Sequence, residues 1–183
     1  GVIGNFLLLP ALPDIALTYG VPTPQAQLTV TIYLVAFAIG VLFSGPLADR
    51  YGRKPLLAGG MLVAAAASAI ALVAPDFSWF IVARFVQGLG AATGITVSRA
   101  TVGDLFAGSE MARKIATLTM AMVAGTAMSP YLGGLIAEHL GWRNGFWFLF
   151  AGSAIIGIAI LRYLPETRSQ GGADNSFGKL WRE

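Results

Sequence analysis

Apolar residues run along this chain in blocks of roughly 20, the length a helix needs to cross a bilayer core. Short stretches of charge, proline and glycine separate the blocks. No alternating apolar and polar pattern of the kind a membrane barrel requires is present. Six blocks are delimited, at about 1–16, 28–46, 55–74, 78–102, 111–137 and 143–164. The cuts fall at breakers: Pro22 and Pro24, the stretch from Gly45 to Pro55, "APDFS" at 74–78, Gly108-Ser109-Glu110, and Gly141. The pattern predicts an all-α membrane protein with a six-helix bundle over 1–164 and a polar linker over 165–183. As a helix the first block is roughly 24 Å long, short of the roughly 30 Å core. It lacks the basic lead of a signal peptide, so it reads as the later part of a first transmembrane helix. Within the linker, Phe177, Leu180 and Trp181 share one helical face, which suits a short interfacial helix.

Composition agrees. Of the 183 residues, 56% are hydrophobic and 11% charged, against roughly 25% charged in a soluble domain. The net charge of +3 does not indicate a nucleic-acid partner, because the basic residues lie mainly in turns. Arg50, Arg53, Lys54, Arg113, Lys114, Arg162, Arg168, Lys179 and Arg182 fall on one side of the six blocks and only Arg143 on the other. The positive-inside rule then places both ends of the segment in the cytoplasm. Arg84 and Arg99 lie inside the fourth block. There is no cysteine, hence no disulfide or thiolate metal site.

The turn "GPLADRYGRKP" at 45–55 concentrates charge. Basic residues orient the chain, which accounts for Arg50, Arg53 and Lys54 but not for Asp49. Asp49 and Arg53 are spaced to pair along a continuous helix. Asp104, at the same end of the fourth block, completes a set able to latch the second helix to the fourth. "GPLADRYGRK" (45–54) also aligns with "GLIAEHLGWR" (134–143). Either this is a chance likeness of two glycine-containing turns, or three helices recur with inverted topology, as in transporter folds.

The 45–54 stretch resembles the loop 2–3 signature of the major facilitator superfamily, G-x-L-A-D-R-x-G-R-K, matched at Gly45, Leu47, Ala48, Asp49, Arg50, Gly52, Arg53 and Lys54. The resemblance implies a cytoplasmic gate with Asp49 and Arg53 as its working pair. "ARFVQGLGAATG" (83–94) resembles the R-x-x-Q-G-x-G-A-A element of the drug:proton antiporter branch, which implies a proton-coupling role for Arg84. From the residues alone, Arg84 lies roughly 9 Å into its helix. At that depth an arginine costs at least ~2.5 kcal/mol and needs a partner or a wet cavity; snorkelling or a backbone partner is the structural alternative. "GTAMSPYLGG" (125–134) resembles the antiporter signature G-x-x-x-G-P-x-x-G-G at Gly125, Pro130, Gly133 and Gly134, with Ser129 in place of the central glycine. Proline and glycine there suit a helix that bends, or an ordinary kinked membrane helix. "GNFLLLPALP" (4–13) resembles the first helix of twelve-span drug exporters.

The resemblance covers almost the whole chain and points to exporters of the bicyclomycin-resistance type. It implies half of a twelve-helix fold, as two inverted three-helix repeats, in the bacterial inner membrane. The implied activity is proton-coupled efflux of a small apolar or cationic drug, together with a C-terminal six-helix half. Asn5, Tyr33 and Gln87 are candidates for a substrate cavity. Met120, Met122 and Met128 suit either an adaptable pocket or core packing. No acid lies mid-membrane in these spans, so the titrating carboxylate is expected elsewhere. Two rivals stay open: a facilitator moving a metabolite, and a non-transporting scaffold. An enzyme is not expected, since the lone His139 lies outside the spans. No metal site or cofactor is expected either; "GLGAAT" follows no strand, so it is not a dinucleotide loop.

Overall fold

The computed structural model describes residues 2–165, and all their regular structure is helical. The linker, with the interfacial helix expected at Phe177, Leu180 and Trp181, lies outside the described residues. Five helical runs are long and apolar enough to cross a membrane: Thr23–Tyr51, Arg53–Val73, Phe77–Leu105, Gly108–Leu140 and Arg143–Tyr163. The first apolar block is not one helix. It is divided into α1 (Val2–Phe6), a 3-10 turn (Leu9–Ala11) and α2 (Leu12–Tyr19). Pro10 and Pro13 cannot donate to a helical ladder, and the Ala11 N–H bonds the Leu8 carbonyl instead of one a turn further back.

The second block also differs from expectation. A short α3 (Thr23–Ala26) leads through Gln27 into α4 (Leu28–Tyr51), which passes through Pro46 rather than ending there. Asp49 and Arg50 are therefore helical. The turn is confined to Gly52, whose φ of 104° suits glycine, and α5 (Arg53–Val73) begins at once. α6 (Phe77–Leu105) is capped by the Asp76 carboxylate, which accepts from the Trp79 N–H at 3.0 Å. α7 (Gly108–Leu140) starts at Gly108, so the expected break at 108–110 is its first turn. α8 (Arg143–Tyr163) closes the bundle.

Two observations favour the inverted repeat over chance. Gly52 and Gly141, equivalent in the alignment, both end helices at positive φ (104° and 85°). Part of the packing follows the same exchange, although the extensive α5–α6 contact has no comparable counterpart between α8 and the first span. The first span lies against α7 and α4 against α6, while α5 packs on α8. Swapping spans 1, 2, 3 for 4, 5, 6 maps the first two contacts onto each other and the third onto itself.

The core is unequal along the bundle. At the Trp142 end, Ile15, Phe80, Trp142 and Phe146 are buried together, and Tyr19 packs beside them. Phe80 meets Trp142 at 5.8 Å and Phe146 at 5.4 Å, both edge-on, the geometry aromatic quadrupoles favour. The Trp142 indole N–H donates to the Thr18 hydroxyl at 3.1 Å. Trp142 is thus a core residue, whereas Trp147 is more than half exposed. At the Arg53 end the cluster is smaller, centred on Ala48, Leu57 and Val97. Large side chains such as Leu42, Phe43, Ile155 and Tyr163 point outward, as they do where lipid is the solvent.

Candidate functional site

Helix α6 is drawn close to two neighbours by glycine. A methyl on Gly88 would stand 2.5 Å from the Tyr33 carbonyl of α4, and one on Gly90 would stand 2.6 Å from the Gly60 carbonyl of α5. Only hydrogen at these positions lets the backbones approach. Gly94 meets nothing nearer than the Met61 methyl, at 3.2 Å. The close-packing pair on α6 is therefore Gly88 and Gly90, and Gly94 has more room.

One turn before Gly88, Arg84 is fully buried. Its Nη2 donates to Asn5 Oδ1 of α1 and its Nη1 to Gln87 Oε1. Its Nε donates to the Thr29 carbonyl of α4 at 3.3 Å. The guanidinium carbon lies 4.3 Å from the centre of the Tyr33 ring, a cation–π contact that strengthens as water is removed. Gln87 passes the network on: its amide donates to Ser68 Oγ at 2.7 Å, and Ser68 donates to the Ala64 carbonyl at 2.7 Å. A buried cation thus ties four helices together through neutral dipoles and one π face.

The candidates for a substrate cavity, Asn5, Tyr33 and Gln87, all belong to this arrangement. They are 2%, 1% and 5% exposed, and all three turn towards Arg84. The cost of an uncompensated guanidinium in the membrane explains why polar side chains converge on it. Ser68 and the Thr29 carbonyl complete the shell and were not foreseen. The only sequence signal was a lone serine in the alanine-rich run "AAAASAIAL".

At the other end, Arg53 Nη1 meets Asp49 Oδ1 at 2.9 Å and Arg53 Nε meets Asp104 Oδ2 at 3.0 Å. The Arg53 and Asp104 side chains are mostly covered, but that of Asp49 is 63% exposed. The arginine therefore joins the α4–α5 turn to the end of α6 and leaves Asp49 largely accessible. Arg50 lies over the Tyr51 ring at 5.3 Å, outside this cluster. Lys54 is half-buried, and nothing approaches Gly45 closely.

Pro130 sits inside α7, which continues through it. Ser129 is buried and donates to the Gly125 carbonyl. A methyl on Gly133 would collide with the Leu7 carbonyl, where the broken first span crosses α7; Gly134 has room. His139 and Asp14 are exposed. Among the described residues no group of three or more His, Cys, Asp or Glu side chains is placed to hold a metal.

Beyond Gly90 the face of α6 changes character. Ala91, Gly94, Ser98 and Arg99 line a crevice of about 270 Å³, walled also by Met61 of α5, Thr119 and Met122 of α7 and Ile156 of α8. Met122 is the one methionine of the expected three that reaches this space; Met120 and Met128 are exposed.

A family model described as Major Facilitator Superfamily matches residues 2–183. The chain belongs to the major facilitator superfamily. This facilitator segment is 38% identical over 169 residues to the chloramphenicol resistance protein of Pseudomonas aeruginosa, covering 92% of this chain and 40% of that protein. It is 28% identical to multidrug resistance protein D of Escherichia coli K12, covering 92% of this chain and 43% of that protein. The chain therefore spans less than half the length of these relatives. In fold it matches the human organic anion transporter MFSD10 with a TM-score of 0.71, at 22% identity, over 91% of this chain and 45% of that one. The six-helix arrangement is that of half a facilitator.

Proposed function

We propose that this segment is the N-terminal half of an exporter that expels small drug-like molecules across the bacterial inner membrane in exchange for protons. It would work with a second six-helix half, and both ends of the segment would lie in the cytoplasm. The names of the two bacterial relatives support the substrate class. The observation that carries the reading is Arg84: a buried cation met, among the described residues, by neutral dipoles and the Tyr33 ring, at the junction of α1, α4, α5 and α6. Such a group is sensitive to any charge that arrives nearby, because the low dielectric screens it little. A carboxylate exchanging a proton in the opposite half would feel Arg84 differently in its two protonation states. The gradient would thereby bias the rocking of the halves. Asp49, Arg53 and Asp104 would act as the cytoplasmic latch, with Gly45, Arg50, Gly52 and Lys54 shaping its turn. Pro130, with Gly125, Gly133 and Gly134, would let α7 flex against the first span. A neutral or weakly polar substrate suits these spans better than a cation, since no acidic side chain lies mid-membrane among them.

The test is efflux by the full-length protein in cells lacking their own pumps, with chloramphenicol and ethidium as probes. Collapse of the proton gradient should abolish loss of the probe, and so should Arg84→Ala with expression intact. Unchanged efflux in Arg84→Ala would remove the arginine from coupling. Failure of the wild type to move any compound of a broad panel would overturn the export reading.

A further inference from the structure

We propose that the crevice between α5, α6, α7 and α8 is a binding site for an amphipathic anion, its apolar body held by the crevice walls and its acidic head by Arg99. Several independent features meet there. The lining is mostly aliphatic, with Met61, Ile95, Met122 and Ile156 around the space. Its volume of about 270 Å³ approaches the roughly 300 Å³ at which small-molecule sites begin. The α6 wall is made of Ala91, Gly94 and Ser98, spaced along one helical face, so the room exists because those side chains are small.

The polar groups at the crevice all carry donors that have no partner among the described residues. Arg99 has no hydrogen bond or ion pair among the described residues. It sits about 9 Å along α6 from the helix end. Ser98 on α6 and Thr119 on α7 are equally unpartnered. That is uncommon in this bundle: Ser44, Ser68, Thr101, Thr117 and Thr126 each return their hydroxyl to a carbonyl of their own helix. A guanidinium and two hydroxyls thus face one apolar space that no acidic side chain lines. The complementary ligand carries the missing acceptor: a carboxylate or phosphate on an apolar body. Arg84 offers no such site, because it is fully buried and each of its three side-chain nitrogens already donates to a protein acceptor. Binding here needs no transport cycle, so the proposal stands or falls separately from the export reading.

Two sources share this chemistry, a free acidic amphiphile and an anionic lipid of the bilayer. The probe is cis-parinaric acid, titrated by fluorescence into the full-length protein in phosphatidylcholine nanodiscs, with its methyl ester as the uncharged control. The acid should bind saturably and the ester at least tenfold more weakly, the loss of one charged hydrogen bond. Arg99→Gln should weaken the acid about tenfold and leave the ester unchanged, while Arg99→Lys should keep most of the affinity. Gly94→Leu, which fills the crevice, should remove both. Equal binding of acid and ester, or acid binding indifferent to both Arg99→Gln and Gly94→Leu, would overturn the site. Repeating the titration with phosphatidylglycerol in the discs separates the sources. Displacement of the acid assigns the site to lipid, and undiminished binding assigns it to a free amphiphile.

Discussion

Arg84 and Arg99 lie on one helix, roughly four turns apart, and the protein treats them in opposite ways. Arg84 is fully buried, and four neighbouring groups supply acceptors or a π face. Arg99 is exposed at an apolar crevice with no partner among the described residues. Small residues stand beside both. Near Arg84, Gly88 and Gly90 bring α4 and α5 into backbone contact. Near Arg99, Ala91, Gly94 and Ser98 face α7 and α8 across a gap. The same residue types therefore produce tight packing or an open space according to whether a neighbouring backbone closes in. In a membrane, where no hydrophobic force presses helices together, contact depends on such local fit.

Breaking the packed half should have the largest effect. Gly90→Val sets a branched side chain against the Gly60 carbonyl and should cost about 3 kcal/mol or more. Gly94→Val, facing the crevice, should cost less than about 1 kcal/mol. Thermal unfolding in detergent compares the two directly. Phe80→Ala should follow closely, at about 3–5 kcal/mol, because it empties the centre of the aromatic cluster. Arg84→Leu should cost about 3 kcal/mol, since it strands several buried acceptors. Arg99→Leu should change stability by no more than about 0.5 kcal/mol. Equal losses for the two arginines would erase the distinction between them. The smallest effect on stability is expected for Asp104→Asn, under about 1 kcal/mol for an ion pair near the surface. If the Arg53 cluster is a latch, that variant should still lower the rate of efflux in whole cells.

Much of the fold was legible in the sequence because bilayer thickness sets the length of the apolar blocks, and turn glycines mark their ends. The Asp49–Arg53–Asp104 set was legible for the same reason: spacing along a helix and position at one end suffice to bring the three together. The break in the first span was less so, since two prolines within an apolar run are compatible with a kinked helix as well as with three short pieces. The shell of Arg84 was legible only in part. Each of Asn5, Tyr33 and Gln87 was marked as a candidate for a substrate cavity, but their convergence on one guanidinium depends on how α1, α4 and α6 cross. Gly88 and Gly90 set that crossing through contacts far apart in sequence. The crevice was legible only as far as Ala91, Gly94 and Ser98 put small residues along one face of α6; the void itself arises from the distance between helices.

The contrast between the two halves of α6 is tested most directly by single-cysteine labelling. These residues contain no native cysteine, and any elsewhere in the full-length protein can be replaced by serine. Ala83→Cys and Ser98→Cys, treated with N-ethylmaleimide in phosphatidylcholine nanodiscs, compare the shell of Arg84 with the crevice of Arg99. The account predicts that the cysteine at 98 reacts readily, while that at 83 reacts only after denaturation in detergent. Equal reactivity at the two positions, or protection at 98, would contradict it.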